Sequence, residues 1–201
     1  MYFYLLSYPI LGAGIKFIDA AYDDNTCSKK LALLIAPLLG ILWGYTMFLN
    51  IFSATLLLAV VIGVFATGKI DNRAHIIGML TVILIILYMH VEFLLIPLVG
   101  FIVAGVVDEL GNDFIDKKKA HLNKHRLSHR FAILFFEHRW TLKVAVLGMV
   151  VLGVMPWYFF VAMVLFDYAY LSVGFLSDMK QGIKSPLDIK KTVSSIVLIF
   201  K

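Results

Sequence analysis

The sequence predicts an all-α membrane protein, a polytopic bundle of about seven hydrophobic helices. Three observations carry that reading. Of 201 residues, 61% are apolar and 15% charged, with a mean hydropathy of +0.91; a soluble domain usually holds about 25% charged residues. The apolar residues come in blocks. Leu31 to Thr67 has no charged residue, Ile76 to Val107 is broken by His90 and Glu92, and Val144 to Leu176 by Asp167. Such runs exceed the roughly 18 apolar residues that mark a membrane span. The basic residues, finally, avoid those blocks.

Arithmetic divides the blocks into spans. As one straight helix, Leu31 to Thr67 would be about 55 Å long, against a hydrocarbon core of about 30 Å. Two spans, 31–49 and 51–67, use it up, turning at Leu49-Asn50, where Asn satisfies backbone groups at a helix stop. The next block turns near His90-Val91-Glu92, giving short spans at 76–90 and 93–107. The last turns at Met155-Pro156-Trp157 into spans 140–155 and 157–176, because Pro ends a helix and Trp suits the lipid–water boundary. The first span is 2–18. No basic segment precedes it, so it reads as a span and not a cleaved leader. The whole chain, 1–201, is one membrane domain.

In this arrangement 19–30, 68–75, 108–143 and 177–191 share one side of the membrane. All 18 Lys and Arg residues fall there, at the flanking helix ends or at the C-terminus. Since positive residues stay cytoplasmic, the N-terminus is expected outside the cell membrane, with the C-terminus and charged loops inside. The net charge of +5 then follows from topology and anionic lipid headgroups, not from nucleic-acid binding. Cys27 is the single cysteine, which excludes an intrachain disulfide.

Acidic residues gather at two expected helix ends. Asp19 and Asp23, one helical turn apart, share a face, and Asp24 follows. Asp108, Asn112 and Asp116 form a second stripe, with Glu109 and Asp113 beside it. Hard oxygen ligands so arranged suit Mg²⁺, which bridges a few carboxylates to substrate phosphates and keeps some waters. Lys69, Arg73, Lys117, Lys118 and Lys119 lie close enough in sequence to hold those phosphates. The plainer alternative is a set of solvated charges capping membrane helices.

At these residues the chain resembles the UbiA superfamily of intramembrane prenyltransferases. Asp19-Ala-Ala-Tyr-Asp23 is similar to the core of a DxxxD motif, and Asn112-Asp113-Phe-Ile-Asp116 to an NDxxD motif. Three helices separate the two motif-bearing helices, as in the family. Gly44, Leu49-Asn50 and Gly68-Lys69-Ile-Asp-Asn-Arg73 lie between them, the last where the family tends to carry a basic loop. The likeness covers roughly residues 8 to 176. It departs at Ala120, where the longer motif would end in Asp, and the chain lacks the family's first and last helices. The resemblance implies a Mg²⁺-dependent transferase that joins the prenyl group of an isoprenoid diphosphate to a lipid-soluble acceptor.

Asp167 lies within the last span, where an ionised side chain costs at least about 2.5 kcal/mol unless paired or hydrated. It is read as a catalytic, cavity-lining residue, or else as a protonated link between helices. A transporter or channel with Asp167 on its path, or a non-catalytic scaffold, is the competing class. His121, His125 and His129 recur every fourth residue, but Lys124, Arg126 and Arg130 among them favour a basic interfacial helix over a metal site. Glu137-His138-Arg139 reads as the membrane-surface start of the sixth span. Gly40-Ile-Leu-Trp-Gly44 predicts close helix packing.

Overall fold

A computed structural model describes residues 1–118 and 127–182, without the side chains of Asp116, Leu127, Ser128, Arg130 and Glu137. Eight helices are present among them: α1 (Tyr2–Tyr22), α2 (Lys29–Phe48), α3 (Ile51–Ala66), α4 (Arg73–Tyr88), α5 (Leu95–Lys118), α6 (Leu127–Glu137), α7 (Trp140–Val151) and α8 (Trp157–Lys180). Each of the seven expected spans holds one helix, and α6 is the eighth. Three helices, α2, α5 over Leu95–Ile115, and α8, are long and apolar enough to cross a membrane. With 16 residues each in α3 and α4 and 12 in α7, those helices reach about 24 Å and 18 Å, short of a hydrocarbon core of about 30 Å.

The breaks follow local chemistry. Asn50 caps α3, its Oδ1 accepting from the amides of Phe52 and Ser53 at 2.9 and 3.4 Å. His90 ends the α4 turn in a left-handed conformation. The α7–α8 turn opens earlier than the expected Met155, because α7 stops at Val151 and Gly153 takes φ +72°, a conformation that suits glycine. Asp19 and the Asp108–Asp113 stretch lie inside α1 and α5 and not beyond their ends.

Neighbouring helices close into a ring: α1 packs on α2, α2 on α3, α3 on α5, α5 on α7, α7 on α8, and α8 back on α1. Helix α4 lies along α2 and touches α1, while α6 leans on α5 and α7. The α1–α8 pair is parallel, since Tyr4 meets Phe159, Gly12 meets Phe166 and Thr26 meets Ser177 in rising order. Parallel α2 and α4 approach through Gly40, which faces Gly78 and Thr81, and Gly44, which faces Ile85. This is the close packing the glycine spacing predicts. Parallel neighbours two helices apart in sequence require the helix between them to return, as stacked hairpins do. Leu34, Leu84, Leu87, Ile96 and Val151 are exposed on the outside, an apolar rim suited to lipid.

Candidate active site

The ring encloses a cavity of about 380 Å³. Its deep wall is apolar, with Leu39 and Trp43 from α2, Val64 from α3, Val82 from α4, and Met163 and Phe166 from α8. Charged residues form its mouth. Asp19 of α1 and Asp23 at its C-terminal cap, Asp71 of the α3–α4 loop, Asp108 and Glu109 of α5, and Asp167 of α8 all line it, together with Lys16, Lys69, His75, Arg139 and Tyr170. Residues from both acidic stretches therefore face one cavity.

Each carboxylate has a distinct task. Asp19 Oδ1 lies 2.7 Å from His75 Nε2, and Asp19 Oδ2 accepts from the Tyr170 hydroxyl at 2.9 Å, so one side chain joins α1, α4 and α8. Arg139 stacks on the Tyr170 ring at 4.8 Å. Lys69 donates to Glu109 at 2.5 Å and to Asp113 at 3.0 Å. Arg139 Nε also lies 3.0 Å from Glu109, so that carboxylate sits between two cations. Burial pulls the Lys69 ammonium pKa down, but the hydrogen bond and charge of Glu109, joined by Asp113, leave it raised. Asp23 is exposed. Partial burial, then the negative charges of Asp19, Asp71 and Asp24, push its pKa up.

Asp108 is buried and caps α7 across space, each carboxylate oxygen accepting one amide, Thr141 and Leu142, both at 2.8 Å. It supplies the cap that Arg139 at the N-cap position does not. Asp167 pairs directly with Lys143 of α7, which also donates to the carbonyls of His138 and Arg139. Lys143 is thus a buried partner and not one of the surface charges at the sixth span's end. Asp167 both lines the cavity and links two helices.

The remaining expected site residues lie apart. Asp24 accepts from Ser177 at 2.8 Å and ties α1 to α8. Asn112 and Asp113 line a second cavity of about 300 Å³, which shares Lys16, Lys69, Arg139 and Tyr170 with the first. Arg73 and Lys117 are exposed, Lys118 lies over the Phe114 ring at 4.5 Å, and none of the three lines either cavity. The Asp116 side chain, Lys119, His121 and His125 lie outside the described residues. Among the described residues no three His, Cys, Asp or Glu side chains gather to hold a metal ion. Most of the expected ligands already have other partners.

His75, Tyr170, Arg139, Lys16 and Asp71 complete the mouth and were not among the site residues expected from sequence, nor was Lys143, the buried partner of Asp167. Tyr170 lies three positions after Asp167, hence on the same helix face, and that spacing is a usable signal. For His75 the signal is a polar residue in the first turn of an otherwise apolar helix. No protein-family model matches the chain, and it matches no characterised protein and no solved structure.

Proposed function

We propose that the chain is an integral membrane enzyme of the intramembrane prenyltransferase kind, acting on a polyprenyl diphosphate and a lipid-soluble acceptor. In this reading it crosses the membrane seven times, with the charged mouth of the cavity on the cytoplasmic side. One observation carries the proposal: a single cavity joins both acidic stretches and three bases to an apolar, aromatic wall. An amphiphile with a phosphorylated head and a hydrocarbon tail has that polarity.

The mouth's charge balance bears on how such a head would bind. Lys16, Lys69 and Arg139 face six acids in the lining, so a bare diphosphate meets net negative charge. A Mg²⁺ ion shared with the diphosphate needs few protein ligands. Asp23 fits that role, its carboxyl already strained by like charge, and so does the exposed Asp71 beside it. Bound there, the metal would neutralise the departing diphosphate. The chain's own residues do the rest. Lys69 and Arg139 exchange Glu109 for phosphate oxygens, and the apolar wall excludes water from an allylic cation. Trp43 and Phe166, whose rings meet edge to face at 6.0 Å, offer π faces to that cation.

The test is thermal stability of the purified protein in lipid nanodiscs with Mg²⁺ and geranylgeranyl diphosphate. Together they should raise the melting temperature through linkage, a stabilisation of about 2.7 kcal/mol at a hundredfold excess over Kd, and neither alone should match that. Asp23→Ala, Lys69→Ala and Arg139→Ala should each shrink the shift, while Arg73→Ala, away from the cavity, leaves it intact. No shift in the wild type, or equal shifts in all four variants, overturns the transferase reading in favour of transport or scaffolding.

A further inference from the structure

The contacts of Asp19 fix more than helix packing. Its carboxylate faces His75 Nε2 at 2.7 Å on one oxygen and accepts the Tyr170 hydroxyl at 2.9 Å on the other. An ionised carboxylate only accepts hydrogen bonds, so His75 donates to it from Nε2, and Nδ1 is the ring's second nitrogen. The main chain is held as well, since Asn72 Oδ1 accepts the His75 amide at 2.9 Å. His75 is in the cavity wall, along with Asp19, Tyr170 and the small or apolar Ala74, Gly78 and Met79. A ring oriented by a carboxylate and standing in a cavity wall is the arrangement of a general base.

We infer that His75 takes the proton of a hydroxyl-bearing, lipid-soluble acceptor, with Asp19 and Tyr170 as positioning residues. This rests on the transferase reading. In the step, the allylic C–O bond of the prenyl diphosphate breaks and its electron pair leaves on the diphosphate oxygen. The acceptor oxygen forms the new C–O bond to the allylic carbon, and its O–H proton passes to His75 Nδ1. The imidazolium that results is held by the Asp19 carboxylate. The products are a prenyl ether, diphosphate and a proton that leaves through the polar mouth.

Two measurements separate this inference from the reading beneath it. Diethyl pyrocarbonate acylates an unprotonated imidazole nitrogen and needs no substrate, and peptide mass spectrometry reports the site. His75 should be acylated in the wild-type protein in nanodiscs, several-fold more slowly in Asp19→Asn, and more slowly when Mg²⁺ and geranylgeranyl diphosphate fill the cavity. Unreactive His75, or an unchanged rate in Asp19→Asn, overturns the inference whatever the acceptor. The second measurement is diphosphate release from geranylgeranyl diphosphate with a long-chain alcohol as probe. His75→Gln keeps a donor for Asp19, so it should keep the fold and the ligand-induced thermal shift. It should lose about 100-fold or more in turnover, the range general-base catalysis supplies. Full turnover in a folded His75→Gln protein overturns the base role, whereas a wild-type protein without any thermal shift overturns the transferase reading itself.

Discussion

Replacing Lys143 with Met tests whether Asp167 is ionised inside the bundle. The two side chains are 4% and 9% exposed and in direct contact, so removing the ammonium strands a carboxylate away from water. Breaking a buried pair in this way costs about 3–5 kcal/mol. Lys143 also donates to the carbonyls of His138 and Arg139, worth about 1 kcal/mol each when lost. In the double variant Lys143→Met/Asp167→Leu no charge is stranded, and only those carbonyl contacts are missing. The double variant should therefore lie only about 1–2 kcal/mol below wild type and about 3–5 kcal/mol above Lys143→Met, because the carbonyl loss is common to both and only the stranded charge differs. Reversible unfolding by SDS in mixed micelles, followed by circular dichroism, reads all three proteins. If Lys143→Met and the double variant unfold at the same SDS fraction, Asp167 is neutral in the folded chain, and the ion-pair argument fails.

Three further outcomes follow from the same contacts. Asp108→Ala removes both acceptors at the start of α7 and should cost up to about 2 kcal/mol, as the strongest N-caps do; Asp108→Asn, which keeps one carbonyl oxygen, should cost less in the same unfolding assay. The pKa of Lys69 is raised in the fold, so its stabilisation is fully present below the unfolded value of 10.5 and is lost as pH rises through the folded value. The thermal-stability lead of wild type over Lys69→Met should thus hold through neutral pH and close in strong alkali. Asp23 has the opposite sense for an acid: its pKa is raised, so its ionised form disfavours the fold, and Asp23→Asn should stabilise the metal-free protein at neutral pH and do nothing well below pH 3.8. For topology, cysteines placed at Asn50 and Lys118 should label from opposite sides of the membrane, and labelling from one side would break the seven-span reading.

The helical hairpins were legible because each turn carries local chemistry: Asn50 as a cap, His90 beyond an apolar run, Pro156 before Trp157. The GxxxG stripe of α2 was legible too, because close packing needs only small residues at the right spacing. The partnerships were not. Asp108 serves α7 more than 30 positions away, Asp167 finds Lys143 on the preceding helix, and Asp19 finds His75 and Tyr170 on two others. Such pairs depend on which helices the ring makes neighbours, and single-helix periodicity is silent on that. Reading Lys143 with the surface bases shows the limit well. Its position near a helix end fits snorkelling, and only the presence of an acid at the same depth on α8 turns it inward.

The same pairings bear on what the cavity is able to accept. A charge in a membrane bundle must be neutralised or hydrated, and here Lys69 and Arg139 are already shared with Glu109. A purely anionic ligand would have to draw both bases away and leave Glu109 unpaired beside five further acids of the lining, an unfavourable exchange. A purely cationic ligand would gain those acids but meet Lys16, Lys69 and Arg139 across the same opening. A ligand that brings both signs, such as a diphosphate with its divalent metal, releases the bases to phosphate while giving the carboxylates a new counter-charge. The proposed site therefore predicts an order of dependence that neither charge alone produces. Screening by added salt should weaken binding of the metal–diphosphate pair only modestly, because most of the exchanged contacts are short and partly buried. A steep loss of the thermal shift between low and physiological salt would point instead to a diffuse electrostatic association at the mouth, and would remove the ion-exchange account of binding.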